Sequence, residues 1–538
     1  MAINGKMTRG TEFGDYQTPA QLADRACLLL SRRTEPPLSI LEPTCGRGNF
    51  LIAAIRRFPS ARIALGVDIN PDHVREAREA ATRLNASTTV CVESGDCFKI
   101  DWERILDSLP DPLLIIGNPP WVTNSTMGSI GGTNLPVKSN FRKDRGLDAI
   151  TGKSNFDVSE SMLVQAVHWM IGRQATLAML CKTAVARKVL LHGWKKAIGL
   201  DRCAIYLIDA GRFFGVKTHS CLLVASSHPP HAVNVGIPSS MPCHDPPSLP
   251  IGKEDAPPAP PAGNERVHPL PLPEEVTAHA PPTCSFDCLI HRSLDDEAPT
   301  GAFGFRGGRL IADVSAYERL KHLEGEELHG WRSGIKHDCA AVMELTGPVG
   351  PFANGRGESV DIEMDFLFPM LKSSDLNRRL SAAPPRWMLV TQRTVGEDTL
   401  MIRDKAPKTW EYLNRHANLL GKRASTIYRN RPLFSIFGVG NYSFTPWKVA
   451  ISGFYKAMNF TVVGPRGNKA VVFDDTCSFM ACESEDEARR LALLLNSETA
   501  RDFFSSMIFW DAKRPVTIEI LRRLDLKKLS LFLSISGT

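Results

Sequence analysis

The chain predicts an α/β fold: an open, mostly parallel sheet followed by a separate α+β domain. Three observations predict it. Up to Ala225, short apolar runs alternate with helical stretches, as βαβ units do. Then 16 of the 38 prolines crowd into His228–Pro282, and proline's missing donor and fixed backbone keep such a stretch from forming a packed element. From about Phe303 a mixed region containing aromatics runs on, as a second domain would. The expected divisions are residues 1–227, a Pro-rich linker or insertion over 228–300, and 301–538.

Taken in order, strands are expected where apolar runs are short and bounded by turn residues. These are Leu38–Leu41, Ile63–Val67, Thr88–Val92, Leu113–Ile116, Ala175–Leu180, Cys203–Ile208 and Cys221–Ala225. Helical stretches fall between them, most clearly Ala20–Ser31, Phe50–Phe58, Pro71–Asn85 and Val158–Ile171. No internal repeat interrupts the alternation.

Bulk properties narrow the function classes. The 538 residues, 43% hydrophobic and 23% charged, suffice for two or more domains with ample cores. No run approaches the ~18 apolar residues of a membrane span. Met1–Gln17 is polar and lacks the apolar heart of a secretory signal, so a cytoplasmic location is expected. Thirteen scattered cysteines argue for reduced thiols, with Cys477 and Cys482 expected in a core. Between Met401 and Ala450 nine Lys or Arg stand against two acids, an excess larger than the whole chain's net +6. Such concentration is the footprint of a polyanion-binding surface; a solvated basic face would read the same way.

Chemistry concentrates at the ends of the expected strands. Asn118-Pro119-Pro120-Trp121 follows the apolar run 113–117, placing Asn118 at a strand's carboxyl end, where open α/β sheets hold ligands. An amide, a fixed backbone and a large aromatic suit the grip of a planar exocyclic amine. Glu42-Pro43-Thr44-Cys45-Gly46-Arg47-Gly48 follows the first strand and opens a helix. Its glycines allow a tight turn and a ligand close to free helix N–H groups. Asp68 ends the second strand, where an acid can accept both hydroxyls of a ribose; a surface acid beside a plain turn is the alternative. Asp96, in Gly95-Asp96-Cys97-Phe98, can accept from an adenine amine with Phe98 against the ring, or can simply cap a helix.

The order of these pieces, from Phe13-Gly14-Asp15-Tyr16-Gln17-Thr18-Pro19 through Glu42–Phe50, Gly66–Asn70 and Gly95–Phe98 to Asn118–Trp121, resembles the adenine-N6 DNA methyltransferases of restriction–modification systems. The similar group carries its catalytic domain first and its target-recognition domain second. The resemblance spans Phe13 to Ala225. It implies a Rossmann-like S-adenosylmethionine-dependent methyltransferase sheet with a C-terminal target-recognition domain, and double-stranded DNA as partner. By that resemblance Thr18 and the turn containing Glu42, Thr44, Gly46 and Gly48 line the methionine part of S-adenosylmethionine. Asp68 holds the ribose and Asp96 the adenine amine. Asn118 and the Pro119 carbonyl accept from the target amine, with Pro120 completing the motif. Trp121, where such enzymes carry Tyr or Phe, stacks on the target base. Phe214, in Gly211–Lys217, is the second aromatic clamp; a core Phe is the alternative.

Further readings attach to the C-terminal half. Arg415, Lys422, Arg423, Arg429 and Arg431 precede Phe434–Tyr442, and Phe444, Trp447 and Lys448 follow; cations among aromatics suit a nucleic-acid surface. Trp331–Asp338 and Leu371–Asp375 also resemble stretches of that family's C-terminal regions. His279, Cys284, Cys288 and His291 have a spacing that zinc could use, though no metal is expected. Competing functions are a methyltransferase of the same fold acting on RNA or a protein amide, and a catalytically inactive DNA-binding protein. No nuclease pattern stands out, so any cognate restriction endonuclease is expected as a separate chain.

Overall fold

Ser-Ile-Leu-Glu at 39–42 is buried at all four residues, as in a parallel strand covered on both faces. It is β1 of a ten-stranded sheet. The computed structural model describes residues 17–121, 158–229, 284–325, 330–348, 351–376 and 386–536. It divides into two units, Met1–Leu310 and Ile311–Thr538.

In the first unit β1 (Ser39–Glu42), β2 (Ile63–Asp68), β3 (Thr89–Ser94), β4 (Leu113–Gly117), β5 (Ala175–Lys182), β6 (Leu200–Asp209) and β7 (His219–Ser227) lie in the order β3-β2-β1-β4-β5-β7-β6. β1 to β5 are mutually parallel, and β7 is antiparallel to both β5 and β6. The chain order therefore reverses between β1 and β4, the switch point at which doubly wound sheets bind ligands. Helices α1 (Ala20–Arg33), α2 (Asn49–Arg57) and α3 (Pro71–Thr82) share one apolar core with the sheet. Helix α1 buries Leu22, Ala23, Ala26, Cys27, Leu29 and Leu30, a 3.6-residue spacing that gives it one apolar stripe. Helix α3 starts where the Asn70 side chain accepts from Asp72 N at 3.0 Å, with Pro71 in its first turn; both are start signals. The short α4 (Trp102–Asp107) was not expected; α5 (Val158–Trp169) and α6 (Thr183–Lys195) follow.

The linker expected over 228–300 needs correction. Residues 230–283 lie outside the described residues, but Phe286–His291 is strand β8, parallel to β6, and Gly301–Arg306 is β9, antiparallel to β8. With β10 (Arg309–Ile311) they extend the sheet at its β6 edge. The cause is aromatic packing. Trp194 of α6, 1% exposed, stacks on Phe286 with centroids 5.9 Å apart and touches Phe303 and Phe305 at 6.2 and 6.4 Å. The second unit accordingly begins near Ile311, later than the expected residue 301.

That second unit holds a four-stranded sheet, in the order Arg332–Ser333, Cys477–Cys482, Trp447–Ser452, Thr461–Val463. Its six-stranded sheet runs Ser359–Val360, Phe352–Asn354, Glu344–Thr346, Arg386–Leu389, Leu367–Leu371, Val472–Phe473. Cys477 and Cys482 are core thiols, each 1% exposed. Main chains approach closely where the segments cross: a Cβ at Gly334 would lie 2.0 Å from the Asp474 carbonyl oxygen, and one at Gly438 2.4 Å from that of Gly334. Among the described residues no helix is long and apolar enough to cross a membrane.

Because β9 is part of the sheet, Phe303→Ala is expected to destabilise the first unit by about 3–5 kcal/mol, the usual cost of emptying a buried aromatic site. Urea denaturation followed by tryptophan fluorescence checks this; an unchanged midpoint would return the segment to linker status.

Candidate active site

The carboxyl ends of β3, β2, β1 and β4, four neighbours in the sheet, carry Asp96, Asp68, the turn 42–48 and Asn118 along one edge of the sheet. After β1 the chain turns through Gly46 (φ +50°) and Gly48 (φ +82°), left-handed conformations that favour glycine. A side chain at Gly46 would collide with Gln17 Oε1 at 2.5 Å, and one at Gly48 would press on Ala77 Cβ at 3.0 Å. Two hydrogen bonds lock the turn to β2: Cys45 N donates to Val67 O (2.7 Å) and Gly46 N to Asp68 Oδ2 (2.9 Å). The other Asp68 oxygen accepts from Asn70 N at 2.8 Å and lies 3.5 Å from His73 Nδ1. Asp68 thus joins the glycine turn to the start of α3.

Glu42 lies beneath the turn, 2% exposed, and accepts from Leu51 N at 2.8 Å. Burial pushes its carboxyl well above the usual carboxylate range, and the charge of Asp68 adds to this. A Cβ at Gly117 would stand 3.4 Å from Glu42 Cγ, so Glu42 lies directly under the end of β4. Thr18 is buried, and its carbonyl accepts from Asn49 Nδ2 at 2.7 Å. Thr44 Oγ1 is buried with no hydrogen-bond partner among the described residues. Such a hydroxyl calls for a polar ligand. With the glycine turn and a carboxylate at the end of β2, it fits an amino-acid-bearing nucleoside.

After β3, Gly95 N donates to Asp68 O at 3.0 Å. Asp96 Oδ1 accepts from Phe98 N at 3.1 Å, and Lys99 Nζ stands 3.4 Å from Oδ2. Asp96 therefore does shape its own turn, while lying on the same side as Asp68. Phe98 and Cys97 pack against Val158 and Met162, and burial lifts the Cys97 thiol to about 12.

At the end of β4, Asn118 is half-buried with its Oδ1 sheltered from solvent, and Pro119 is buried. Pro120 is half-buried and Trp121 is 8% exposed. Phe214 reaches Trp121 from the far side. It ends the five-residue helix α7 (Ala210–Phe214), which Asp209 caps by accepting from Arg212 N at 3.0 Å and Gly215 closes at φ +69°. The rings meet edge-on, centroids 5.1 Å apart at 66°. Trp121 belongs to the buried core of the first unit and Phe214 packs against that core, a contact that either the clamp or the core reading accommodates, while Phe213 lies under the Arg212 guanidinium at 5.4 Å.

Other expectations fare differently. Phe13–Tyr16 and His279 lie outside the described residues. Cys288 and His291 are three apart on β8, so the strand's alternation sends them to opposite faces; His291 stacks on Tyr206 at 4.4 Å. Among the described residues no group of three or more His, Cys, Asp or Glu could hold a metal ion. In the basic block Lys422, Arg429 and Arg431 are exposed, but three expected surface residues turn inward. Arg423 donates to Leu420 O (2.8 Å), Ser435 O (2.7 Å) and His337 O (3.2 Å) and covers Tyr428. Phe434 is 3% exposed. Lys448, 1% exposed, donates to Thr445 O at 2.6 Å, and burial lowers its pKa to about 8. Backbone carbonyls absorbed Arg423 and Lys448 and a hydrophobic core took Phe434, which charge counting does not reveal. Gln17, over the glycine turn, lies in the flagged stretch 13–19 but was given no role there; His73 beside Asp68 was not anticipated and belongs to no pattern that sequence spacing marks.

The sheet order, the glycine turn and the strand-end acids define a Rossmann-like S-adenosylmethionine-dependent methyltransferase. No family model matches the chain. A curated relative, Type II methyltransferase M.NspV of Nostoc sp. (strain ATCC 29411 / PCC 7524), is 41% identical over 526 residues, 96% of this chain and 97% of that protein. The chain therefore belongs to the Type II methyltransferases. Among solved structures, the DNA complex of the Type IIL restriction-modification enzyme MmeI aligns with 94% of this chain at 12% identity and a TM-score of 0.45; this chain spans 64% of that one. A class I S-adenosylmethionine-dependent methyltransferase from Listeria monocytogenes aligns with 44% of this chain and 66% of its own length, at 16% identity and a TM-score of 0.29.

The Glu42 carboxyl gives a pH prediction. Its folded-state pKa lies above the ordinary 4.5, so folding takes up a proton. Its stabilising contribution is complete below that ordinary value and is lost as pH climbs through the raised one. Glu42→Gln keeps an acceptor for Leu51 N and does not titrate. The melting temperature of the variant relative to the unaltered protein should therefore rise between pH 5 and pH 8; a constant difference would show that Glu42 does not titrate in that window.

Proposed function

We propose that this methyltransferase transfers a methyl group to N6 of adenine in duplex DNA, with Asn118 and the Pro119 carbonyl holding the amine. The observation that carries this reading is the adjacency of β1 and β4, paired Leu41 to Ile115. It sets the amide and aromatic of 118–121 one strand away from the glycine turn.

Thr18, Glu42, Thr44, Gly46 and Gly48 would hold the methionine part of S-adenosylmethionine, Asp68 its ribose, and Asp96 with Phe98 its adenine. When bound, that group supplies a methyl already activated on a positively charged sulfur. The remaining work falls to the protein. The lone pair of adenine N6 is delocalised into the ring, which makes the amine a weak nucleophile. Two acceptors on its N–H groups, Asn118 Oδ1 and the Pro119 carbonyl, localise that lone pair and aim it. No covalent enzyme intermediate is required, and the surplus proton leaves to solvent or through Asn118.

Reaching N6 inside a duplex requires swinging the base out, at a few kcal/mol. The Trp121–Phe214 contact is worth about 0.5–1.5 kcal/mol. An entering base exchanges that contact for stacking worth about 1–3 kcal/mol per aromatic, so parting the rings favours the loaded state. Trp121 offers a larger π-face than Tyr or Phe. The second unit would be the target-recognition domain, with the exposed Lys422, Arg429 and Arg431 on phosphates. The protein would act in the cytoplasm, and a cognate endonuclease would be a separate chain.

Asn118→Ala is expected to lower methyl transfer about 100- to 1,000-fold, on the order of one lost transition-state hydrogen bond, while cofactor affinity stays within a few-fold. Tritium transfer and calorimetry measure the two, and retained transfer would refute the role. Nucleoside mass spectrometry of methylated duplex should show N6-methyladenine; N4-methylcytosine would overturn the choice of base. Removing residues from Ile311 onward should abolish duplex binding in a gel-shift assay while the first unit still binds cofactor.

A further inference from the structure

Two of the stretches flagged in the sequence, 331–338 and 371–375, converge in the second unit with a third that was not flagged, 452–455. The meeting point is the turn 474–477. Ser373 Oγ donates to Thr476 O at 2.7 Å, Ser373 N donates to Thr476 Oγ1 at 3.2 Å, and Gly453 N reaches the same Thr476 carbonyl at 2.9 Å. Ile335 N donates to Phe473 O at 2.7 Å, and Gly334 N to Cys477 O at 3.0 Å. Ser452 Oγ accepts from Phe454 N and Tyr455 N at 3.2 and 3.3 Å, which fixes the aromatic turn. These bonds frame a 390 Å³ pocket lined by Lys372, Ser373, Ser374, Phe454, Tyr455, Asp474 and Thr476.

The polarity of this pocket is mixed. Lys372 is neutralised by Glu344 at 2.6 Å, and Arg514, which covers Phe454 at 4.8 Å, faces Asp475 at 3.6 Å. Asp474 Oδ1 already accepts from Thr476 N at 3.2 Å and from the Thr476 hydroxyl. Surfaces that take phosphates present uncompensated cations, whereas base edges are told apart by donors and acceptors together. Ser374, Lys372 and the Tyr455 hydroxyl offer donors, Asp474 offers an acceptor, and two aromatic rings supply a wall for a flat heterocycle.

We propose that this pocket is a base-reading site: it contacts the edge or face of one nucleobase of the DNA sequence being recognised, through Ser374 and Tyr455 at its mouth. This rests on the DNA-directed reading above. It divides labour in the second unit, with uncompensated cations elsewhere fixing phosphates and this pocket setting sequence preference.

The test uses the full-length protein with Tyr455→Ala and Ser374→Ala, made separately. Tyr455 is 36% exposed and Ser374 half-buried, so neither truncation empties the core; melting temperature and cofactor affinity verify the fold. Each protein methylates a pool of duplexes randomised around the preferred sequence of the unaltered protein, and modified molecules are sequenced. The expected result is a loss of about ten-fold or more in discrimination at one position, with the salt dependence of duplex binding unchanged. An unaltered preference at every position overturns the proposal. So does uniform weakening across sequences with a shallower salt dependence, the mark of a phosphate contact. Failure of the unaltered protein to methylate any duplex would defeat the DNA reading itself, a result distinct from either.

Discussion

The Asp68 carboxylate is the constraint on which the rest of the catalytic crevice depends. One oxygen accepts from Gly46 N and the other from Asn70 N, so a single side chain at the end of β2 joins the turn after β1 to the first turn of α3. Charge-assisted bonds to backbone N–H groups are among the stronger ones available to a protein. The bond to Gly46 N helps hold a turn whose two glycines take left-handed conformations. Glu42, at the end of β1, is set beside β4 by the direct pairing of those two strands, so the turn and Asn118 start from neighbouring strand ends.

The strand ends were legible because each carries a signature tied to backbone geometry. Glycines at 46 and 48 mark positive φ, an acid closes β2, and Asn-Pro-Pro-Trp follows an unbroken apolar run. The Trp121–Phe214 partnership was legible only through family resemblance, since nothing local relates residues 93 positions apart. Strands β8 and β9 were missed for a physical reason. The prolines before residue 283 gave the segment a linker's composition, whereas its fate was decided by Trp194, on a distant helix, whose buried indole needed Phe286 and Phe303 as neighbours. Long-range aromatic packing leaves no periodic trace in either partner.

The basic block teaches the opposite lesson. Charge counting located an excess of cations between residues 401 and 450, and part of it faces solvent as expected. Yet Arg423 and Lys448 are consumed internally, donating to carbonyls that turns leave open. A guanidinium that stitches three carbonyls together adds nothing to a phosphate-binding surface. The effective positive footprint of the second unit is therefore smaller than its composition states, and is carried by fewer residues.

The glycine contacts of the second unit have a consequence of their own. Gly334 and Gly438 bring three stretches of main chain so near one another that even a methyl group would force them apart. At Gly334 and Gly438 this knot of backbone leaves no room for a Cβ. New specificities could then arise by recombination only if the crossover points leave 334, 438 and 474 inherited together, since a chimera that split them would inherit two halves of a joint cut to different gauges.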